Sequence, residues 1–359
     1  MRVAIVHDAL CTAGGAERVV LWMTKAFPDA PIFTSAYLPN CTFNEFRQLD
    51  VRTLPHTKRI TSEKQFKSWL PLWFFLIRQL DFRNYDVVLS SSTYLAKYIR
   101  PPRNVTHKAY IHAPFRLLWK PESYTSDSIP SPIIFKPILS LALPILRKLD
   151  QKFTQQIPAI ATSCNNVAEE IWRIYHRAST VIHPPVSVDD YPLATSPGEY
   201  YLSVSRLISH KRVDLAIQAC TRMKKKLIVV GDGPERKNLE KLAGETIRFV
   251  GRVNDEQLKT LYLDSKALLF PSHEDYGIVP LEAQACGRPV IAYGKGGALE
   301  TVSEGKSGVF FSEQSVDSLV ASMLDFEKMK FRPHQIRKWV DQFDVKYFIS
   351  ELRNFIELE

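Results

Sequence analysis

Short apolar segments recur along the chain, each followed by a loop of small or polar residues and then by a stretch with helical spacing. Within these segments apolar and polar positions do not alternate, which is typical of strands covered on both faces. Such strands between helices predict parallel sheets in an α/β fold. The segments form two series, residues 2–8, 86–93, 108–114, 159–164 and 180–186, then 200–207, 226–233, 247–253, 267–272 and 289–294.

A proline-rich segment separates the two series and has neither helical nor strand periodicity, so we expect a hinge at residues 186–198. A chain of 359 residues is long for one core, which also favours two domains. The predicted organisation is a first doubly wound domain at 1–187, a second at 188–340 and a C-terminal helix at 341–359. If the two domains face each other, the carboxyl ends of both sheets border a cleft, where ligands of such folds bind.

The positive charge of the chain is concentrated in its first half. Residues 1–185 hold 23 Lys and Arg against 13 Asp and Glu, whereas the remainder holds 24 against 25. This asymmetry predicts an anionic partner for the first domain: a membrane surface, a phosphorylated substrate or nucleic acid. The alternative is a basic surface without a specific partner.

The densest basic segment is residues 52–83, where seven Lys and Arg and two acidic residues flank the sequence WLPLWFFLI. An anionic membrane leaflet attracts such a segment, and Trp69, Trp73 and Phe74 are suited to its interface. The alternative is that the aromatic side chains belong to the core and the cations are solvated. The apolar run is far too short to span a bilayer.

The five cysteines are scattered and include no Cys-x-x-Cys pair, so the sequence predicts neither a disulfide framework nor a zinc site. This usage is typical of a reducing compartment. The N-terminal residues enter a strand pattern directly, without the longer apolar core of a signal peptide. We expect a cytoplasmic protein that lies on the inner face of the cell membrane.

Glycine or charge follows several predicted strands. Gly14 and Gly15 come after the first strand and begin a helix whose free N–H groups favour an anion; the alternative is a simple tight turn. Arg206 and Lys211 follow the first strand of the second series, where two cations suit a diphosphate; the alternative is a pair of solvated charges.

The next two loops of the second series are suited to a nucleotide. Gly231 and Gly233 allow the backbone to approach a ligand closely. Arg252 and Val253 precede a helix that begins with a capping box at Asn254. In this interpretation they border the base; in the alternative they belong only to a turn.

The sequence HEDYGIVPLE combines a loop with the start of a helix. Glu274 lies in the loop and Glu282 on the helix, and carboxylates facing a ligand accept hydrogen bonds well from sugar hydroxyls. We expect one carboxylate to bind a sugar and the other a ribose. The amides at the helix start suit phosphate oxygens. The residues expected to line the donor here are Tyr276, Gly277, Ile278 and Val279.

Taken in order, these motifs resemble a known family. The sequences AGGAERV, YIHAPFRLLW, SRLISHKR, GDGPE, EDYGIVPLE, AQACGRPVIA and GKGGALETV are similar to those of the retaining glycosyltransferases of family 4. The resemblance covers nearly the whole chain and implies the GT-B fold, with two facing Rossmann-like domains, a cleft between them and a last helix that crosses back onto the first. It also implies that Gly15 lies against the donor phosphates.

The resemblance further implies a role for each charged residue. Arg206 and Lys211 are expected to hold the donor diphosphate, Glu274 the donor sugar and Glu282 the ribose. His112 is expected beside the reacting sugar and the acceptor; the alternative is a packed core histidine.

The proline-rich hinge, together with SSTYLAKYI and HAPFRLLW, is similar to mannosyltransferases of O-antigen and lipid-linked oligosaccharide assembly. That likeness implies GDP-mannose as donor, a polyprenyl-diphosphate-linked saccharide as acceptor and no cofactor. The chain has no Asp-x-Asp, which favours a metal-independent reaction in which Arg206 and Lys211 replace a divalent ion. The alternatives are a UDP- or dTDP-sugar transferase of the same fold, an inactive nucleotide-sugar-binding scaffold, and a nucleic-acid-binding protein, for which no recognition motif is present.

Overall fold

The computed structural model describes residues 1–54, 57, 60–121 and 135–358. The chain divides into two compact units, each built on one parallel β-sheet. Unit 1 comprises Met1–Pro184 and Phe348–Glu359, and unit 2 comprises Pro185–Tyr347. Two parallel sheets whose strands alternate with helices along the chain confirm the predicted α/β class.

Seven strands form the sheet of unit 1: β1 (Val3–His7), β2 (Ile32–Thr34), β3 (Val51–Thr53), β4 (Val87–Ser92), β5 (Thr106–Ile111), β6 (Ala159–Thr162) and β7 (Thr180–Val181). Their order is β3-β2-β1-β4-β5-β6-β7, and every neighbouring pair is parallel. The central strands β1 and β4 are buried along their whole length. This burial explains why their apolar residues run continuously instead of alternating.

The helices that lie wholly within unit 1 are α1 (Gly15–Ala26), α2 (Glu63–Ser68), α3 (Leu70–Leu76), α4 (Arg116–Trp119), α5 (Phe135–Gln155) and α6 (Asn165–Tyr175). Helix α1 begins at the second residue of the glycine pair and buries Val19, Val20 and Met23. In the part of the chain that the structure describes, no helix is long and apolar enough to cross a membrane.

Trp73 was predicted to face a membrane, and that prediction is wrong. Its side chain is 3% exposed, stacks on Phe66 with ring centroids 5.7 Å apart, and donates from Nε1 to the Phe66 carbonyl at 3.0 Å. Phe74 is half-buried and packs against Tyr98 and Phe153. Helix α3 is apolar on all sides, so its sequence does not distinguish a buried tryptophan from an exposed one.

Six strands form the sheet of unit 2: β8 (Tyr200–Val204), β9 (Leu227–Val230), β10 (Ile247–Gly251), β11 (Ser265–Phe270), β12 (Val290–Tyr293) and β13 (Gly308–Phe311). Their order is β10-β9-β8-β11-β12-β13, again with parallel neighbours throughout. The core lies on both faces of this sheet, since strand residues belong to two separate buried clusters.

The helices of unit 2 are α7 (Val213–Arg222), α8 (Arg236–Leu242), α9 (Asp255–Asp264), α10 (Ile278–Ala285), α11 (Ala298–Thr301), α12 (Val316–Lys328) and α13 (Pro333–Val340). Asn254 caps α9: its side chain accepts from the Gln257 N–H at 2.9 Å, and the Gln257 side chain accepts from the Asn254 N–H at 3.1 Å. This reciprocal arrangement is the predicted capping box.

The last helix, α14 (Val345–Glu357), begins in unit 2 and continues in unit 1. It buries Phe348, Leu352, Phe355 and Ile356. Lys108 of β5 donates to the carbonyl of Phe355 at 2.8 Å, so the buried ammonium is paired with the end of this helix.

Both sheets reverse their strand order once. In unit 1 the reversal lies between β1 and β4, and in unit 2 between β8 and β11. At such a switch point the loops leaving the two strands diverge to opposite sides, and the crevice outside the carboxyl ends binds ligands. The two switch points are therefore the expected positions of ligand-binding residues.

Candidate active site

An ion pair spans the switch point of unit 2. Lys211 lies in the short 3-10 turn of residues 209–211 after β8, and Glu274 lies in the loop after β11. Lys211 Nζ is 2.6 Å from Glu274 Oε1, and the two side chains are 15% and 22% exposed. Ser272 Oγ donates to the same carboxylate oxygen at 2.7 Å. Two residues predicted separately from the sequence thus meet at the carboxyl ends of adjacent strands.

Glu274 stays ionised in this setting. Its burial favours the neutral carboxyl, but the Lys211 ammonium and the hydrogen bonds from Lys211 and Ser272 outweigh that cost and hold the pKa of Glu274 below its ordinary value. The carboxylate has acceptor positions beyond these bonds, because an ionised carboxylate offers about four lone-pair sites. The arrangement can therefore accept hydrogen bonds from a hydroxylated ligand.

Glu282 projects from α10 and is half-buried. Its Oε2 accepts from the hydroxyl of Tyr262 on α9 at 2.8 Å. Burial and the Glu282 carboxylate raise the pKa of Tyr262 well above its ordinary value, so the phenol remains a donor. Tyr262 thereby fixes the orientation of the second carboxylate of the motif.

The backbone between the two carboxylates requires glycine. Gly277, which precedes α10, has φ of +96°, and a Cβ there would lie 2.9 Å from Phe270 Cζ. The first turn of α10 carries no acidic side chain, so its N–H groups remain suited to an anion. Tyr276 is buried, while Ile278 and Val279 are half-buried.

A second glycine segment supports the loop that carries Glu274. The Gly297 N–H donates to the Glu274 carbonyl at 3.0 Å. A Cβ on Gly297 would lie 2.3 Å from Tyr276 Cα, and Gly296 has φ of +67°. The sequence GKGG thus packs directly under the acidic loop and sets its position.

Arg206 and Arg252, the other predicted cations, have exposed side chains. Among the described residues neither side chain has a hydrogen bond or ion pair. Ser205, next to Arg206, has a buried Oγ with no hydrogen-bond partner within the described chain. Val253 is half-buried and packs on the core. Within the described chain, the segment after β8 therefore carries one unpaired guanidinium, that of Arg206, and one unsatisfied buried hydroxyl, that of Ser205.

Close packing explains why residues 231 and 233 are glycines, an explanation that the sequence did not suggest. A Cβ on Gly231 would lie 1.9 Å from the Ser205 carbonyl oxygen, and one on Gly233 would lie 2.3 Å from that of Leu207. The space next to each glycine is filled by the chain that follows β8. These glycines therefore set the path of the segment that leads to Lys211.

In unit 1 the carboxylate of Asp8 organises the loop after β4. Asp8 follows β1 and is 1% exposed. Its two oxygens accept from four backbone N–H groups of residues 93–96, at distances between 2.5 and 3.0 Å. An ionised carboxylate with four donors is well compensated for its burial. It joins the two strands of the unit 1 switch point.

Gly14 and Gly15 lie at the start of α1, as predicted, but an internal carboxylate already reaches that position. Glu17 Oε2 accepts from the Gly14 N–H at 3.1 Å, and its Oε1 accepts from the Thr12 hydroxyl at 2.9 Å. A Cβ on Gly14 would lie 2.7 Å from Glu17 Oε2. Gly15 is exposed, and its role toward a phosphate stays a prediction.

His112 follows β5 and is half-buried. Its Nε2 lies 2.8 Å from Ser91 Oγ. Burial and the neighbouring His7 lower the pKa of His112 to about 3, so the ring is neutral near pH 7. The histidine is hydrogen-bonded at the carboxyl edge of the sheet, and its role beside a sugar stays a prediction.

Sequence reasoning missed the side chains that bond the predicted residues or organise the switch point of unit 1, namely His7, Asp8, Ser91, Tyr262 and Ser272. A signal existed for three of them. His7, Asp8 and Ser91 are polar residues at the ends of strands that are otherwise apolar. A polar group buried at such a position needs a hydrogen-bond partner.

Part of the chain is also similar in sequence to a known protein family. Residues 192–340 match the family model for glycosyl transferases group 1. The whole matched range lies within unit 2. The matched range includes all of β8 to α13 and therefore every site residue described in unit 2.

Curated relatives are similar over a limited part of the chain. A GDP-mannose-dependent alpha-(1-6)-phosphatidylinositol monomannoside mannosyltransferase of Mycolicibacterium smegmatis is 31% identical over 140 residues, which are 34% of this chain and 37% of that protein. An uncharacterized glycosyltransferase of Methanocaldococcus jannaschii is 33% identical over 128 residues, 33% of each. The chain thus spans about a third of the length of these relatives.

Solved structures are similar over the whole chain. Anabaena HepE in complex with UDP superimposes with a TM-score of 0.75 at 17% identity and covers 99% of both chains. The sucrose-phosphate synthase of Thermosynechococcus elongatus gives 0.74 at 16% identity, covering 99% of this chain and 98% of that one. With two parallel α/β sheets, these likenesses confirm the GT-B fold class.

Proposed function

We propose that the protein is a retaining glycosyltransferase of family 4 that moves a hexose, mannose from GDP-mannose, onto a lipid-linked saccharide of O-antigen-like polysaccharide assembly. The observation that carries the proposal is the Lys211–Glu274 ion pair at the switch point of a group 1 domain. A cation for a diphosphate and a carboxylate for sugar hydroxyls are the two groups that a nucleotide sugar needs at one place.

The residues of unit 2 take complementary roles in this proposal. Lys211 and Arg206 neutralise the diphosphate, and the amides that follow Gly277 bind its oxygens. Glu274 accepts from the hexose hydroxyls and Glu282 from the ribose. As the glycosidic bond to the diphosphate breaks, negative charge grows on the leaving group, and fixed cations there stabilise the transition state. The acceptor attacks on the face that the leaving group vacates.

The choice of donor rests on sequence likeness. Several relatives bear names of mannosyltransferases. They include the GDP-mannose-dependent enzyme of Mycolicibacterium smegmatis and an alpha-1,3/1,6-mannosyltransferase of Dictyostelium discoideum that is 33% identical over 116 residues. A UDP-sugar is the second candidate, favoured by the fold neighbour HepE, which was solved with UDP-glucose. A dTDP-sugar is the third candidate donor, and one transfer assay compares all three.

The reaction is proposed to need neither a metal nor a cofactor. The chain has no Asp-x-Asp sequence, and Lys211 and Arg206 provide two positive charges after β8. Transfer is therefore expected to continue unchanged in excess EDTA. Loss of transfer in EDTA and its recovery with Mg²⁺ would contradict this part of the proposal.

An anionic membrane is the proposed surface for the acceptor, on the inner face of the cell membrane. Six exposed apolar side chains of unit 1 lie on or next to two neighbouring helices, α3 and α5. These helices touch through the rings of Phe74 and Phe153, whose centroids are 5.8 Å apart. We call the six side chains the apolar face, which consists of Trp69, Leu72, Phe75, Ile145, Leu146 and Leu149. Lys148 and Lys152 of α5 are exposed beside these residues, and cations beside apolar side chains suit an anionic leaflet. Lys58 and Arg59 of the predicted basic segment lie outside the described residues.

The proposal is tested by incubating the full chain with radiolabelled GDP-mannose, UDP-glucose and dTDP-glucose in the presence of extracted polyprenyl-linked saccharides. We expect label from GDP-mannose to enter the organic phase with release of GDP. Transfer from UDP-glucose or dTDP-glucose instead would move the donor assignment to that nucleotide. If GDP, UDP or dTDP raises the melting temperature and no donor is consumed, the protein is a nucleotide-sugar-binding scaffold.

A further inference from the structure

Three side chains at the switch point of unit 1 form a hydrogen-bonded row. His7 is the last residue of β1 and pairs in register with Ser91 of β4. His7 Nδ1 lies 3.1 Å from Ser91 Oγ and also 3.1 Å from the Ser91 carbonyl oxygen. Ser91 Oγ lies 2.8 Å from His112 Nε2. His7 and Ser91 are buried, and no predicted role accounts for them.

The carbonyl contact decides where each hydrogen lies. A carbonyl oxygen only accepts, so the short distance to Ser91 O requires a hydrogen on Nδ1 of His7. Because that hydrogen also faces Ser91 Oγ, the hydroxyl accepts from His7. Within the described chain His112 is the one other hydrogen-bond partner of Ser91 Oγ, so the hydroxyl directs its own hydrogen to His112. Nε2 of His112 is then the acceptor, and the hydrogen of its neutral ring lies on Nδ1.

The remaining nitrogen of His112 is available to a ligand. Within the described part of the chain, Nδ1 of His112 has no hydrogen-bond partner, although the residue is half-buried. The ring is held by packing on Tyr110, with centroids 5.0 Å apart, and Tyr110 is itself fixed by a 2.6 Å hydrogen bond from its hydroxyl to the Ile182 carbonyl. The row therefore ends in an oriented ring with one free donor.

We propose that His7 and Ser91 are positioning residues that hold His112 as the neutral tautomer with its hydrogen on Nδ1, ready to donate to a substrate oxygen. The inference rests on the proposed function, because it takes the substrate to be a hydroxyl-rich sugar. Its consequence is specific: His112 acts as a fixed hydrogen-bond donor and not as an acid or base. Its low pKa agrees with that role.

The tautomer is measured directly by NMR. The full chain is labelled with ¹⁵N-histidine, and the His112 signals are identified by their loss in His112→Gln. We expect one neutral tautomer with hydrogen on Nδ1 from pH 5 to pH 8. A charged ring at pH 7, or hydrogen on Nε2, would overturn the proposal. Since this measurement needs no substrate, its outcome is independent of whether the protein transfers a sugar.

The chain offers a matched pair of serine variants. Ser91→Ala removes the hydroxyl that bonds His112, whereas Ser92→Ala removes a buried hydroxyl of the next residue that has no hydrogen-bond partner in the described chain. We expect Ser91→Ala to give a mixture of His112 tautomers and to lower kcat about three- to tenfold with little change in KM. Ser91→Thr, which keeps the hydroxyl, should restore the single tautomer. Equal spectra and kinetics for Ser91→Ala and Ser92→Ala would reject the role of Ser91.

Discussion

At the scale of single residues, the pairing of Lys211 with Glu274 is what distinguishes the site from an ordinary charged surface. Exposed ion pairs contribute little, but this pair is largely screened from solvent and shares a hydrogen bond from Ser272. Both charges are therefore held in fixed positions before a ligand arrives. Such preorganisation reduces the cost of orienting the groups during reaction.

Replacing Glu274 by glutamine tests the role of its charge. Gln keeps the shape of the side chain but leaves Lys211 without an ionised partner and weakens the bonds accepted from sugar hydroxyls. We expect kcat to fall about 10- to 100-fold, the loss of one charge-assisted hydrogen bond. Steady-state kinetics measure this change. The control is Glu245→Gln, an exposed carboxylate of the same unit, which should leave kcat unchanged. Unchanged turnover in Glu274→Gln would remove the residue from the mechanism.

Acid sensitivity is expected from His107. This histidine is buried and bonded to Ser90 Oγ at 2.8 Å, and burial lowers its pKa to about 4, against 6.5 for the free side chain. Between these values the unfolded state binds more protons, so the free energy of unfolding falls as the pH is lowered through this window and is level above it.

The contribution of His107 is measured by urea unfolding between pH 4 and pH 8. We expect His107→Gln to flatten the slope below pH 6.5 by up to about 1.4 kcal/mol per pH unit, the value for one proton. The exposed His334→Gln serves as the control and should retain the wild-type slope. A wild-type slope in His107→Gln would show that other groups govern acid unfolding.

The residues of the site were predictable to different degrees. Glu274, Glu282 and Lys211 could be found because each follows a recognisable strand or lies on the helix after it. The pairings of predicted residues could not be found: Tyr262 meets Glu282, and Ser91 meets His112, only through contacts between elements that are distant in sequence. Strand order decides these meetings, and periodicity along the chain does not contain it.

At the scale of elements, continuous apolar segments located most of the strands. All ten predicted strand segments contain a strand, but β2 and β3, with three residues each, and β13, with four, were missed. Length alone does not explain the difference, because β7 has only two residues and was found. Strand β3 lacks an apolar pattern, since two of its three residues are exposed. The glycines of GDGPE show a second limit, since the backbone that crowds them belongs to the segment that follows β8.

Gly231 offers a test of that crowding. A Cβ there would meet the Ser205 carbonyl at 1.9 Å, and its φ is +123°. We expect Gly231→Ala to lower the free energy of unfolding by about 2–5 kcal/mol, from backbone strain and displacement of the segment after β8. Gly305 has φ of +72° but no atom within 4 Å of a Cβ, so Gly305→Ala isolates the strain alone, about 1–2 kcal/mol. Urea unfolding compares the two, and equal losses would contradict the packing role of Gly231.

At the scale of the whole molecule, the basic first half of the sequence forms most of unit 1, and the same unit carries the apolar face. Two members of that face, Trp69 and Phe75, are 53% and 64% exposed. The correction at Trp73 leaves the membrane hypothesis in place for Trp69, which was predicted, and adds Phe75, which was not. Aromatic side chains and adjacent cations act together on an anionic surface, so binding should depend on both.

Vesicle binding tests that dependence. The wild type should sediment with phosphatidylglycerol vesicles at low salt, less at high salt, and not with phosphatidylcholine alone. We expect Trp69→Ser combined with Phe75→Ser to weaken binding at least about tenfold, from the loss of buried apolar area. Trp172→Ser, which removes an exposed tryptophan of α6, should bind like the wild type. Equal binding of all variants would reject the apolar face as the membrane contact.

The central claim is that the cation at the unit 2 switch point binds the diphosphate of a nucleotide, and calorimetric titration of the full chain with GDP, UDP and dTDP tests it most directly. We expect one nucleoside diphosphate to bind in preference to the others, with GDP the strongest. Lys211→Met should weaken that binding about 10- to 100-fold, while Lys241→Met, an exposed lysine of the same unit, should not change it. Failure of all three nucleotides to bind, or equal affinity in the two lysine variants, would contradict the account.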